Sequence, residues 1–181
     1  VAKQKNVPPY VVFQDPSIDE MVINFPCSGE ELKNIVGVGH GKALKYGKSF
    51  VEIIQKYVRE NDIERPIDFV VKSAVRKSGL KVHIIQSIDR KIPLEDIADT
   101  KAKSFDEILN EIEAIVFSGT KINLNYVIDE MFDDEQQEEV LEYFKESDSD
   151  SIVAALEEFD DDYTDEELRL MRIKFLSEFA N

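Results

Sequence analysis

Apolar residues recur every three or four positions along most of this chain, the spacing that places them on one face of an α-helix. Strand-like patterns are weak, and the best of them, Val82 to Ile88, fits a buried helix equally well. We therefore predict an all-α fold. Helices are predicted after a turn at 15–17, from residue 28, at about 43–58, 67–78, 80–90, 93–100 and 104–118, and again within 127–179.

Proline and glycine predict where several of these helices stop. Pro8 and Pro9 are expected to be non-helical, because proline lacks the backbone N–H that a helix uses. Gly47 leaves open whether 43–58 is one helix or two. Gly119 is expected to close the helix at 104–118, as glycine does just after a helix C-terminus.

Charge is distributed unevenly over the 181 residues, whose formal net charge is −16. Residues 1–62 carry 8 Lys/Arg and 8 Asp/Glu, residues 63–128 carry 10 and 10, and residues 129–181 carry 4 and 20. A polyanion such as DNA would be repelled by the last part and could bind only the first two. A polar stretch with a proline, Glu60 to Asp68, predicts the first boundary.

Few residues are suited to catalysis or metal binding. One cysteine, Cys27, and two histidines are too few for a zinc finger, and the low cysteine content favours a reducing compartment. No apolar run is long enough to span a membrane. The stretch 146–157 partly matches a calcium loop, but Ser151 stands where glycine is required, so a helix cap explains it better. We predict no catalytic residue, no metal site and no cofactor in this chain.

The stretch Gly41 to Ser49, GKALKYGKS, is one residue away from a phosphate-binding P-loop. That motif requires Gly, four residues, then Gly-Lys-Ser/Thr. Here five residues separate Gly41 from Gly47, Lys42 stands where the first glycine should be, and the preceding pattern is helical rather than strand-like. A nucleotide site is therefore not predicted.

The same stretch fits a helical hairpin that contacts an anion. Gly37 and Gly39 allow a close backbone approach, and the following helix would direct unpaired N–H groups at a phosphate. Its lysines recur at i+3 beside a tyrosine, which predicts one basic helical face. A solvated helix face after a tight turn remains the alternative. The residues of this face are Lys42, Lys45, Tyr46 and Lys48.

The segments NVPPYVVFQDPSIDEM and IVGVGHGKALKYGKSFVEII resemble the HRDC (helicase and RNase D C-terminal) domain, a small helical nucleic-acid-binding module. The resemblance covers about residues 1–60 and implies an HRDC-like helical bundle. The first helix of that family is largely missing, since only Val1 to Asn6 precede the prolines. The contact surface it implies consists of Tyr10, Gly37, Gly39, Lys42, Lys45, Tyr46 and Lys48.

Tyr10 could act in two ways. An exposed tyrosine can stack on an unpaired base while lysines neutralise phosphates, which binds single strands without reading their sequence. Alternatively, Tyr10 is a half-buried residue that packs against a turn.

Residues 70–180 resemble the helix-turn-helix region that follows HRDC in some bacterial RecQ DNA helicases. The segments KIPLEDIADTKAKSFDEILNEIEAIVFSGTKINL and YTDEELRLMRIKFL carry this resemblance. It implies a second helical domain with a helix-turn-helix-like core, in the C-terminal region of a RecQ-like helicase. The ATP- and Mg-dependent motor would lie upstream, outside this chain. The resemblance also implies a bacterial cytoplasmic protein associated with the nucleoid.

The predicted recognition helix, 104–118, is unsuited to reading DNA. It carries four carboxylates and no Lys or Arg, so phosphates would repel it. We expect this region to serve as a scaffold or a protein-docking surface. The four carboxylates are Asp106, Glu107, Glu111 and Glu113.

These observations predict three parts. An HRDC-like nucleic-acid-binding domain occupies 1–62, a helix-turn-helix-like domain 63–128, and an acidic helical extension packed on the second domain 129–181. We expect weak, sequence-independent binding of single-stranded or branched DNA, together with protein docking, in DNA repair and recombination. The alternative is a pure protein-interaction or autoinhibitory module whose acidic 129–181 segment binds a basic partner.

Overall fold

The computed structural model describes residues 1–65, 79–160 and 162–179. All regular secondary structure in these ranges is helical, which confirms the all-α prediction. None of the helices described there has the length and apolar character needed to cross a membrane. The helices are α1 Ala2–Lys5, α2 Pro9–Val12, α3 Asp15–Asn24, α4 Gly29–Leu32, α5 His40–Glu60, α6 Gly79–Asp89, α7 Leu94–Lys101, α8 Phe105–Phe117, α9 Asn125–Met131, α10 Asp134–Glu146, α11 Ile152–Glu158 and α12 Asp165–Phe179.

Helices α1 to α5 enclose a small core of their own. The expectation that Pro9 is non-helical is wrong, because it occupies the first position of α2, where a backbone N–H is not needed. Gly47 does not interrupt α5: a Cβ there would lie 2.6 Å from Leu32 Cδ2, so its missing side chain lets α4 pack closely. The core residues are Val12, Phe13, Met21, Leu32, Ile35, Val38, Ala43 and Tyr46.

Helices α6, α7 and α8 form the helix-turn-helix-like region. The helices predicted at 80–90, 93–100 and 104–118 are confirmed with shifts of one residue, whereas the one at 67–78 lies outside the described residues. A capping box with Glu107 at Ser104 begins α8. Gly119, at φ 89°, follows its C-terminus as predicted, and the Thr120 N–H donates to the Ile115 carbonyl.

The acidic extension is centred on α12, which packs against α8, α9, α10 and α11. Thr164 and Glu167 form the predicted capping box before α12. The Ser151 hydroxyl caps α11 by accepting from the Ala154 N–H, which confirms the cap expected in the stretch 146–157.

A second, larger core joins the three parts of the chain. It extends from α6 to α12 and also takes in Tyr10 and Val11 of α2. The division at residues 62 and 128 stays a prediction. In this structure, the helices of the first part rest directly on those of the other two.

Candidate nucleic-acid interface

The residues predicted to contact nucleic acid differ sharply in exposure. Lys45 and Lys48 are exposed, whereas Tyr10, Lys42 and Tyr46 are only 7%, 2% and 3% exposed. The expectation that the lysines of α5 share one exposed face is therefore wrong. Position 42 lies on the side of α5 that faces the rest of the molecule, and positions 45 and 48 lie on the side that faces solvent.

Tyr10 is held in the larger core. Its hydroxyl donates a hydrogen bond to the Phe144 carbonyl, and its ring centroid lies 6.4 Å from that of Phe175. Burial is the main cause that raises the pKa of the Tyr10 phenol above its ordinary value. Of the two alternatives predicted for Tyr10, the exposed tyrosine is therefore wrong, and the ring cannot stack on a base in this arrangement.

The loop before α5 contains Gly37 and Gly39, and we call it the glycine loop. It lies directly against the turn after α8. A Cβ on Gly39 would lie 2.1 Å from the Ser118 carbonyl oxygen, and one on Gly41 2.2 Å from that of Gly119. A Cβ on Gly119 would lie 2.6 Å from the Lys42 nitrogen. We call this contact, Gly39 to Lys42 against Ser118 and Gly119, the seam. The glycines at the seam allow two backbones to meet.

Gly37 serves the packing within the first part. It adopts φ 72°, a conformation that favours glycine. A Cβ there would lie 2.9 Å from Ser17 Oγ, and that hydroxyl donates to the Val36 carbonyl at 2.7 Å. Close approach of Gly37 to a phosphate stays a prediction.

Lys42 forms part of the seam, and its side chain is buried. Burial lowers the pKa of its ammonium group to about 8, while Asp150 opposes the shift and Lys45 adds to it. Asp150 is held in place from two sides. Gln14 Nε2 donates to its Oδ2 at 2.6 Å, and Arg172 Nη1 donates to its backbone carbonyl at 2.6 Å.

Replacing Lys42 by methionine is expected to stabilise the fold near neutral pH by about 3 kcal/mol, and this gain should vanish as the pH rises. The unfolded chain keeps the Lys42 proton up to a pKa of 10.5, whereas the folded chain loses it near 8. Between these values the unfolded state binds more protons, so the stability of the natural chain rises with pH. Urea denaturation of both chains between about pH 7 and pH 10 measures the difference. Parallel stability curves would contradict a buried, charged Lys42.

The acidic face of α8 is bound to arginines of α12. Glu113 accepts from Arg169 Nε and Nη2, both at 3.0 Å, and from Arg172 Nη2 at 2.6 Å. Arg169 Nη1 also donates to Asp106, and its Nη2 to Asn110 Oδ1 at 2.8 Å. The hydrogen bond with Glu113 is the main cause that raises the pKa of Arg169, which therefore stays charged. Two of the four carboxylates on α8 thus hold the acidic extension in place.

Two family models match this chain. The model for the HRDC domain matches residues 1–54, and the model for the RecQ-1-like helix-turn-helix domain matches residues 78–128. The ATP-dependent DNA helicase RecQ of Bacillus subtilis is 44% identical over 62 residues, which is 34% of this chain and 10% of the helicase. RecQ of Haemophilus influenzae is 39% identical over 57 residues, which is 32% of this chain and 9% of that protein. The matched part is about a tenth of the length of these relatives.

Proposed function

Because this chain carries the HRDC and RecQ-1-like helix-turn-helix domains of the C-terminal region of a RecQ-family protein, we propose that it binds DNA weakly and without sequence preference. Its target is single-stranded or branched DNA during repair and recombination in the bacterial cytoplasm. The chain itself performs no chemistry. Strand separation, with ATP and Mg²⁺, belongs to a helicase motor elsewhere in the longer protein.

The exposure of Lys45 and Lys48 beside the glycine loop carries this proposal. Their ammonium groups can neutralise phosphates without reading bases. Lys48 lies 4.0 Å from Glu52, but both side chains are largely exposed and such a pair is weak. On α8, by contrast, the exposed residues include Asp106 and Glu107 and no cation.

Fluorescence anisotropy with labelled oligodeoxythymidine tests the proposal on the whole chain. At about 50 mM salt we expect measurable binding that weakens steeply as salt is added. The double change Lys45→Glu with Lys48→Glu should weaken binding about tenfold or more, by removing phosphate contacts. No binding at low salt would remove the proposal.

A control of equal charge separates contact from general repulsion. Lys56→Glu with Lys91→Glu changes the net charge by the same amount at exposed positions in the C-terminal half of α5 and after α6. We expect these changes to weaken binding by no more than about twofold. An effect equal to that of the Lys45 and Lys48 changes would show that only the total charge matters.

The acidic extension supports a second candidate, protein docking through a negative surface. Residues 129–181 carry 4 Lys/Arg and 20 Asp/Glu, and many of these carboxylates are exposed. Because α10 and α12 contribute to the larger core, deleting the extension would disrupt the fold. The test is to change Glu135, Glu138 and Glu142, all exposed on α10, to glutamine. Loss of a basic partner with DNA binding unchanged supports docking, and tighter DNA binding supports an autoinhibitory surface.

A further inference from the structure

The seam gathers lysines from separate parts of the chain. Lys42 and Lys45 belong to the first two turns of α5, and Lys121 follows Gly119 by two residues. Lys81 of α6 donates from Nζ to Ser118 Oγ at 3.1 Å. Lys5 ends α1 and is exposed, as is Lys121. These lysines bring several positive charges together at the seam. Asp150 also acts on Lys42 through its charge, and Lys45 Nζ donates to the Phe179 carbonyl oxygen at 3.5 Å.

Four of these lysines, Lys5, Lys42, Lys45 and Lys121, act on one another through their charges. The pKa of Lys45 is lowered first by burial and then by the charges of Lys5 and Lys121. Lys45 in turn lowers the pKa of Lys42. Like charges brought together oppose folding, and a bound anion would turn that repulsion into attraction. Such a cluster is therefore suited to a phosphate ligand.

The arrangement favours a chain of phosphates over a single one. Lys48 follows Lys45 by one helical turn, so cations continue along α5 beyond the seam. The exposed lysines lie on two separate parts of the fold. Lys5, Lys45 and Lys48 belong to the first part, and Lys121 follows α8. A single phosphate ion can contact few of them at once, whereas a polynucleotide backbone can pass from one to the next.

We propose that the seam is a composite phosphate-binding site for a single-stranded nucleic-acid backbone, with Lys5 and Lys45 contributed by the HRDC part and Lys121 by the turn after α8. This inference rests on the proposed function and assigns it further residues. It also makes binding depend on the docked arrangement. Lys121 reaches the strand only while the Ser118–Gly119 turn rests against Gly39 and Gly41.

The test compares two pairs of lysine reversals in the whole chain, with labelled oligodeoxythymidine as the probe. Lys5→Glu with Lys121→Glu should weaken binding about tenfold and reduce the salt slope by about 1.4, since each lost contact to a single strand is worth about 0.7. The control is again Lys56→Glu with Lys91→Glu, which should leave the slope unchanged. Lys5→Gln with Lys121→Gln should fall between the natural chain and the reversals, because it removes contacts without adding repulsion.

The outcomes separate this inference from the proposed function. If the Lys45 and Lys48 reversals weaken binding while those at Lys5 and Lys121 match the control, the composite site is wrong and the proposed function stands. If the natural chain does not bind at low salt, both fail. Inorganic phosphate is also compared with chloride at equal ionic strength as a competitor of the labelled oligonucleotide. If phosphate displaces the oligonucleotide far better, the seam is a small-anion site and the assignment to a polynucleotide is overturned.

Discussion

Replacing Glu113 by alanine is expected to lower the free energy of unfolding by about 3–5 kcal/mol. The side chains of Glu113 and Arg169 are only 11% and 9% exposed, and Arg172 is 13% exposed. Without Glu113, both guanidinium groups would stay in the interior and lose their shared carboxylate. Urea denaturation followed by the helical circular dichroism signal measures the loss.

The neighbouring carboxylate on α8 provides the control for this change. Glu111 is partly exposed, so Glu111→Ala should cost less than about 1 kcal/mol. The combination Glu113→Leu with Arg169→Met should cost less than the sum of its single changes, because Arg169 no longer stays in the interior without its carboxylate. If Glu113→Ala costs no more than Glu111→Ala, the buried network does not hold α12 on α8.

This network affects what the helix-turn-helix region can do. To place α8 in a DNA groove, the protein would have to expose a face that α12 covers and pairs with arginines. The exposed carboxylates of α8 are Glu107 and Asp106, of which Asp106 also binds Arg169, and both would then face phosphates. The face covered by α12 and the exposed carboxylates both oppose sequence-specific DNA binding by α8. They support a role for this region as the scaffold on which the HRDC part rests.

The helices were predictable because their signals are local. Ser104, Thr164 and Gly119 cap or end helices through atoms three or four residues away, so a short window of sequence contains the whole interaction. Gly47 could not be interpreted in this way. Its effect depends on Leu32, in another helix, and only the packing of α4 on α5 shows that the glycine continues the helix.

The burial of Tyr10 and Lys42 was not predictable from spacing. Lysines at i+3 give the same pattern whether their face meets water or another part of the protein. The deciding contacts for these residues come from Phe144 and from Gly119, far along the chain. Gly39 was likewise interpreted as allowing a phosphate to approach, whereas here it allows the backbone of Ser118 to approach.

The arginines of α12 did leave a signal in the sequence. Apolar residues surround α12 on all sides, which is typical of a buried helix, and Arg169 and Arg172 lie in its middle. Buried arginines almost always have carboxylate partners. The sequence could therefore predict that such partners exist. It could not identify Glu113 among 38 acidic residues.

Changing Gly41 to alanine is expected to loosen the seam and to cost about 1–3 kcal/mol, the range of overpacking changes. Gly41 lies in the first turn of α5, where alanine is otherwise a better helix former than glycine by about 1 kcal/mol. The added Cβ would lie 2.2 Å from the Gly119 carbonyl oxygen, a backbone atom that cannot rotate away. Urea denaturation measures the cost. Hydrogen exchange should accelerate at residues 10–13 and 118–121, on the two sides of the contact between the parts.

Gly29 in α4 is the matched control, since a Cβ there meets nothing within 4 Å. Gly29→Ala should leave stability unchanged or raise it by up to about 1 kcal/mol. If Gly41→Ala behaves in the same way, the backbones at the seam are not in close contact.

The DNA affinity of the Gly41 variant then separates two roles for the seam. Weaker binding supports the composite site, because Lys121 is withdrawn from the strand. Tighter binding shows that the closed seam hides Lys42 from the strand, and that the docked arrangement is inhibitory.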